Sequence, residues 1–88
     1  MGIANEIITR GWHQGSYTGD DGSVCIEEAC YRAASSTNGR VYDHLQAVRT
    51  VLDFHGEEQL TFLWNDDPDR TYDEVLRVAK EADELLGL

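Results

Sequence analysis

The sequence predicts an all-α fold: one small domain of about four helices, with a long glycine-rich loop after the first. Three observations carry that prediction. Apolar residues recur at helical spacing in three stretches, led by Ile3 and Ile7, by Val41, Leu45, Val48 and Leu52, and by Val75, Ala79, Ala82 and Leu86. Thr71 followed three positions later by Glu74 is the signature of a capping box. A single weakly alternating run, Leu60, Phe62 and Trp64, has a strand's period, and no second run exists to pair with it.

Residues 2–10 form the first helix, with Ile3, Ile7 and Ile8 as its apolar set and Gly11 where a helix commonly stops. From Gly11 to Gly22 the chain carries Gly11, Gly15, Gly19 and Gly22 with Ser, Thr and two Asp between them, which is loop chemistry. Ser23 is placed to cap a second helix whose first turn holds Glu27 and Glu28, where carboxylates favour the helix dipole. Its apolar set is Val24, Ile26, Ala29, Cys30, Ala33 and Ala34, and the run from Ser35 to Gly39 ends it. Residues 40–55 read as the longest core helix, stopped by Gly56. The segment 57–65 fits a strand or a helical turn, and a short turn is the better reading because a lone strand has nothing to pair with. Asn65, Asp66, Asp67 and Pro68 mark a turn, and the capping box then opens a last helix with Tyr72, Val75, Ala79, Ala82 and Leu86 on its apolar stripe and Gly87 at its end.

The chain has 88 residues, enough for one domain, residues 1–88, and too few for two. A chain this short buries only about 60% of its unfolded surface, so its stability rests on a few large side chains or on a partner chain, and a homo-oligomer is compatible with it. Seventeen acids face seven bases, a formal charge of −10. Residues 1–44 hold six acids and three bases, and residues 45–88 hold eleven and four, so the carboxyl half is the acidic one. The bases are scattered singly, which argues against direct nucleic-acid binding, since a phosphate backbone is gripped by clustered Lys and Arg. No apolar run reaches the roughly 18 residues of a membrane span, and the first residues show neither a basic start nor an apolar signal core. Two cysteines do not make the disulfide framework of a small secreted domain. The expectation is a cytoplasmic protein with no membrane contact.

Candidate chemistry fails on spacing. Placing Gly22 at the sixth position of a calcium loop puts Glu28 at the twelfth, but Tyr17 and Gly19 then occupy the first and third, where oxygen donors are needed. Cys25 and Cys30 lie five apart on one predicted helix, about 140° apart around it, which suits neither a zinc site nor a disulfide. His13, His44 and His55 fall on separate elements. Asp66, Asp67 and Asp69 offer an acid pair on paper, yet acids flanking a proline turn before a helix are usually caps and solvated charges. No nucleophile elbow, metalloprotease helix or phosphate loop is present, and no metal, cofactor or catalytic residue is expected.

Two tryptophan segments stand apart. Gly11-Trp12-His13-Gln14-Gly15 and Trp64-Asn65-Asp66 each set a large aromatic beside groups that hydrogen-bond backbone. The favoured reading has Trp12 and Trp64 plugging the ends of the core, with Asn65 and Asp66 satisfying backbone groups of the glycine loop. The alternative makes the tryptophans exposed hot spots for a protein partner. Together with Cys25 and Ala29, and with Arg70-Thr71-x-x-Glu74-Val75 leading to Ala79, these motifs make the chain similar, over most of its length, to an uncharacterised small-protein family of actinobacteria and, commonly, their bacteriophages. Glu28 stands where that family's pattern has a glycine, and the first helix is shorter than the family's. The resemblance implies an intracellular, phage-encoded protein and supplies no catalytic residue. Three functional readings follow: a non-enzymatic phage accessory protein that binds a host or phage protein, an acidic DNA mimic that inhibits a host defence or DNA-binding protein, and a small metal-binding protein or enzyme.

Overall fold

A computed structural model describes residues 2–57 and 59–88. Five helices follow one another: α1 Ile3–Arg10, α2 Ile26–Ser36, α3 Val41–Phe54, α4 Thr61–Asn65 and α5 Tyr72–Leu86. No strand occurs among the described residues, only two isolated bridges in which Val24 meets Trp12 and Thr18. The four longer helices close a ring, α1 and α3 each packing against both α2 and α5, while the single-turn α4 lies on α2. The chain exposes 5144 Å², close to the roughly 5,200 Å² of a folded monomer of this mass.

The core is built from Ile3 and Ile7 of α1, Ile26 of α2, Val48 and Leu52 of α3 and Val75 of α5, with Ala29, Ala33, Ala79 and Ala82 between them. Those alanines remove side-chain bulk where α2 and α5 meet their neighbours. Ile8 departs from expectation and is exposed, because α1 buries only the edge carrying Ile3, Ala4 and Ile7. His44 and Ala47 join the buried face of α3, and Val78 that of α5, while Tyr72 stays exposed. At 15 residues α5, not α3 with 14, is the longest helix.

Helix ends mostly follow local chemistry. The capping box at α5 is complete, Thr71 accepting from the Glu74 amide and the Glu74 carboxylate accepting from the Thr71 amide. Gly87 ends α5 in the left-handed conformation (φ 77°), and Gly11 at φ 90° turns the chain out of α1.

Two expectations are corrected. Cys25, not Ser23, caps α2, its Sγ accepting from the Glu28 amide at 3.3 Å. The cause is Val24, which is held extended when its amide donates to the Gly11 carbonyl and its own carbonyl accepts from the His13 amide, so the helix cannot begin earlier. Ser23 instead donates both its amide and its hydroxyl to the Asp21 carboxylate. Cys25 and Val24 therefore precede the helix they were assigned to. The second correction is to the helix count: the short turn favoured for segment 57–65 forms the single-turn helix α4, which makes five, and Glu58 lies outside the described residues. The alternation of Leu60, Phe62 and Trp64 is misleading, since the turn buries Trp64 and leaves Leu60 and Phe62 exposed.

Candidate functional site

The glycine-rich loop and α4 are joined by one side chain. Asn65 is fully buried and uses every hydrogen-bonding position it has. Its Oδ1 accepts from the Trp12 indole N–H at 2.8 Å and from the Ile26 amide at 3.0 Å, and its Nδ2 donates to the His13 carbonyl and to Asp66 Oδ1. Two donors facing one end and two acceptors facing the other determine which way the amide points. Ile26 opens α2, so its amide would otherwise be an unpaired helix-start donor. Asn65 thus ties the loop, the start of α2 and the end of α4 into one unit.

Gln14 and Asp66 extend the junction. Gln14 Nε2 donates to the carbonyls of Asn65 and Asp67, and Asp66 Oδ1 also accepts from the Gly15 amide at 3.0 Å. All five motif residues, Trp12, Gln14, Trp64, Asn65 and Asp66, are brought to this region. Trp64 is only 2% exposed and belongs to the core, and Trp12 is half-buried against it. The Arg70 guanidinium lies 4.2 Å from the Trp64 ring centroid while its Nε donates to the Trp64 carbonyl and its Nη1 to Glu74. Arg70 locks the turn after α4 to the start of α5. The indole N–H of Trp64 has no hydrogen-bond partner among the described residues.

The acids around the proline turn are structural in placement. Asp66 holds the loop, Asp67 accepts from the Asp69 amide and approaches Arg70, and Asp69 is exposed. The histidines do not converge: His13 bonds Ser16, His44 is buried with Nδ1 against the Arg40 carbonyl, and His55 pairs with Glu81. Among the described residues no group of three or more His, Cys, Asp or Glu is placed to hold a metal ion. Burial pushes both cysteine thiols up, so neither is the thiolate that nucleophilic chemistry uses at neutral pH.

Between the loop and α4 lies a groove of about 300 Å³, lined by Gly15, Ser16, Tyr17, Cys25, Phe62 and Asp66. Tyr17 stands edge-on to Tyr31, their ring centroids 6.2 Å apart at 88°. Burial, opposed by the Tyr17 hydroxyl and reinforced by Asp66, holds the Glu27 carboxyl above its ordinary value, and Glu27 in turn raises Tyr17. A second cavity of about 230 Å³ lies beside Trp64, with Leu52, His55, Arg70 and Arg77 in its wall.

Sequence reasoning missed the groove, because Tyr17, Cys25 and Phe62 belong to different elements and share no spacing. It also left Arg70 as part of a motif without a role, although an arginine six residues after a buried tryptophan has the reach to stack on it. No helix among the described residues is long and apolar enough to cross a membrane.

No curated protein and no solved structure matches the chain. Residues 2–85 match a protein family described as a family of unknown function (DUF6197), and the chain belongs to that family.

Proposed function

We propose that this chain is a non-enzymatic binding protein that docks onto another protein through α4 and the loop beside it. One observation carries the reading. Within a single turn, Leu60, Phe62 and Leu63 are exposed, at 55%, 41% and 52%, while the next two residues, Trp64 and Asn65, are buried anchors. A five-residue helix has no stability of its own, so this turn is held by the rest of the fold with its apolar side chains outward. Phe54, Tyr42, Leu85 and Ile8 are at least as exposed, but they are spread over α3, α5 and α1 rather than gathered in one turn.

The motif resemblance supports the finer proposal that this is a cytoplasmic accessory protein of an actinobacterial phage, acting on a host or phage protein. The acidic mimic draws less support. Several acids of the carboxyl half are engaged internally: Asp53 with Arg49, Asp67 and Glu74 with Arg70, Glu81 with His55, and Asp83 with the start of α1. They do not form a free array of phosphate-like charges.

The test is affinity capture from host lysate with the wild-type chain and with Leu60→Ser/Leu63→Ser, at low and high salt. The proposal expects a partner that survives salt, is lost with the double variant, and is lost without a fall in melting temperature. A partner retained by the variant and shed steeply with salt would favour charge mimicry instead.

A further inference from the structure

We infer that the groove between the glycine-rich loop and α4 is the docking site for an arginine side chain, flanked by apolar residues, on a partner protein. The inference rests on the protein-binding reading and names the chemistry of the partner.

Three independent features of the groove converge on that occupant. Its walls are aromatic and apolar, Tyr17 and Phe62 with Cys25, and both rings are substantially exposed. Its charge is negative and unbalanced. Asp66 lines the groove, and Glu27 is close enough to Asp66 to be raised by it and close enough to Tyr17 to raise that hydroxyl, yet neither carboxylate pairs with a cation among the described residues. The nearby arginines are already taken, Arg32 by Glu28 and Arg70 by Asp67 and Glu74. Finally, Leu60, the residue before α4, and Leu63 within it are exposed apolar side chains flanking Phe62 in sequence.

The same molecule already shows this chemistry. The Arg70 guanidinium lies 4.2 Å from the Trp64 ring centroid and pairs with the carboxylates of Asp67 and Glu74. In the groove the rings of Tyr17 and Phe62 stand with the Asp66 carboxylate, and no lysine or arginine lines it. A guanidinium fits better than an ammonium, because it is planar, stacks on aromatic faces and is more weakly hydrated. A metal ion fits less well, since among the described residues no group of three or more His, Cys, Asp or Glu is placed to hold one. A second copy of this chain would bring another net charge of −10 to an acidic surface.

The experiment is an amide NMR titration with two end-blocked five-residue peptides, one carrying arginine between two leucines and the other citrulline in its place. The arginine peptide should shift Gly15, Tyr17, Phe62 and Asp66 saturably, and citrulline should bind about tenfold more weakly or worse. Glu27→Gln, which alters charge and not shape, should weaken the arginine peptide severalfold and flatten its salt dependence while the amide spectrum of the free variant stays that of a folded protein. Equal binding of the two peptides, shifts confined to another surface, or no shift at about 5 mM peptide would overturn the inference. Equal binding on Leu60 and Leu63 would remove the arginine and leave the protein-binding reading standing, whereas that reading itself falls with the lysate capture by the Leu60→Ser/Leu63→Ser variant.

Discussion

Asp83 accepts the amide proton of Ile3 at 2.8 Å, across 80 positions of chain. Its second oxygen accepts from Ala4 at 3.1 Å, so a carboxylate on α5 caps the start of α1, where Gly2 offers no side chain to do so. The charge also faces the positive end of the α1 dipole. A Cβ at position 2 would meet the Asp83 carboxylate at about 2.5 Å, so any larger residue there pushes that carboxylate aside.

Asp83→Ala should therefore cost about 1–2 kcal/mol, the usual range for a lost helix cap. Gly2→Ala should destabilise by displacing the same carboxylate. Urea unfolding of the two single variants and the double variant should give strongly non-additive losses, since each removes one shared contact. Simple additivity would mean that the cap contributes little.

Asn65→Ala should be among the most damaging single changes. It leaves the Ile26 amide and the Trp12 indole N–H without their acceptor in a closed region, and an expected loss of about 3 kcal/mol or more is a large part of a small domain's stability. Asn65→Asp keeps an acceptor but sets a second carboxylate against Asp66. Its carboxyl should titrate above the ordinary value, so the variant's stability should be greatest in acid and fall as the pH rises through that carboxyl.

Trp64→Ala should remove a large buried aromatic together with the stacking surface of Arg70, costing about 3–5 kcal/mol. The variant should be largely unfolded by circular dichroism. A variant that melts like the wild type would contradict the burial of this side chain.

Glu74 supplies the pH dependence. The Thr71 backbone amide, with Arg70 beside it, holds the Glu74 carboxyl below its ordinary value. A group depressed in the folded state contributes stability above its unfolded value and loses it as the pH falls through the folded one. The melting temperature of Glu74→Gln should lie below that of the wild type at neutral pH, and the gap should close from about pH 5 downward.

The two cysteines should respond differently to serine. Cys25 caps α2 through its sulfur, and serine is a better cap, so Cys25→Ser should change stability by no more than about 0.5 kcal/mol. Cys30 is fully buried in the apolar core, and a hydroxyl there should cost about 1–2 kcal/mol. Thermal melts of the two variants would separate the roles.

The three long periodic helices, the capping box and the stops at Gly11, Gly56 and Gly87 were all legible, because each rests on residues within a few positions of one another. Ser23 misled because its capping chemistry is real, but Val24 bridges to Trp12 and Thr18 and keeps the backbone extended for two more residues. α4 was obscured by a true alternation that the three-dimensional turn does not use. At the candidate site, residue types revealed that Trp12, Gln14, Asn65 and Asp66 had hydrogen bonds to make, and the tryptophans marked where. Asp83 gave no such signal. An aspartate near the end of an acidic helix resembles any solvated charge, and its partner lies at the other end of the sequence.

The Asn65 junction also governs the order of assembly. Residues 12–14 and 65–67 meet across more than fifty positions, so the chain must close most of its length before the asparagine finds its donors and acceptors. Loop-closure entropy makes such distant pairings late events. A nascent or half-folded chain would therefore lack a fixed α4, and the apolar turn would become a rigid display only late in folding. Maturation of the surface is thereby synchronised with completion of the fold.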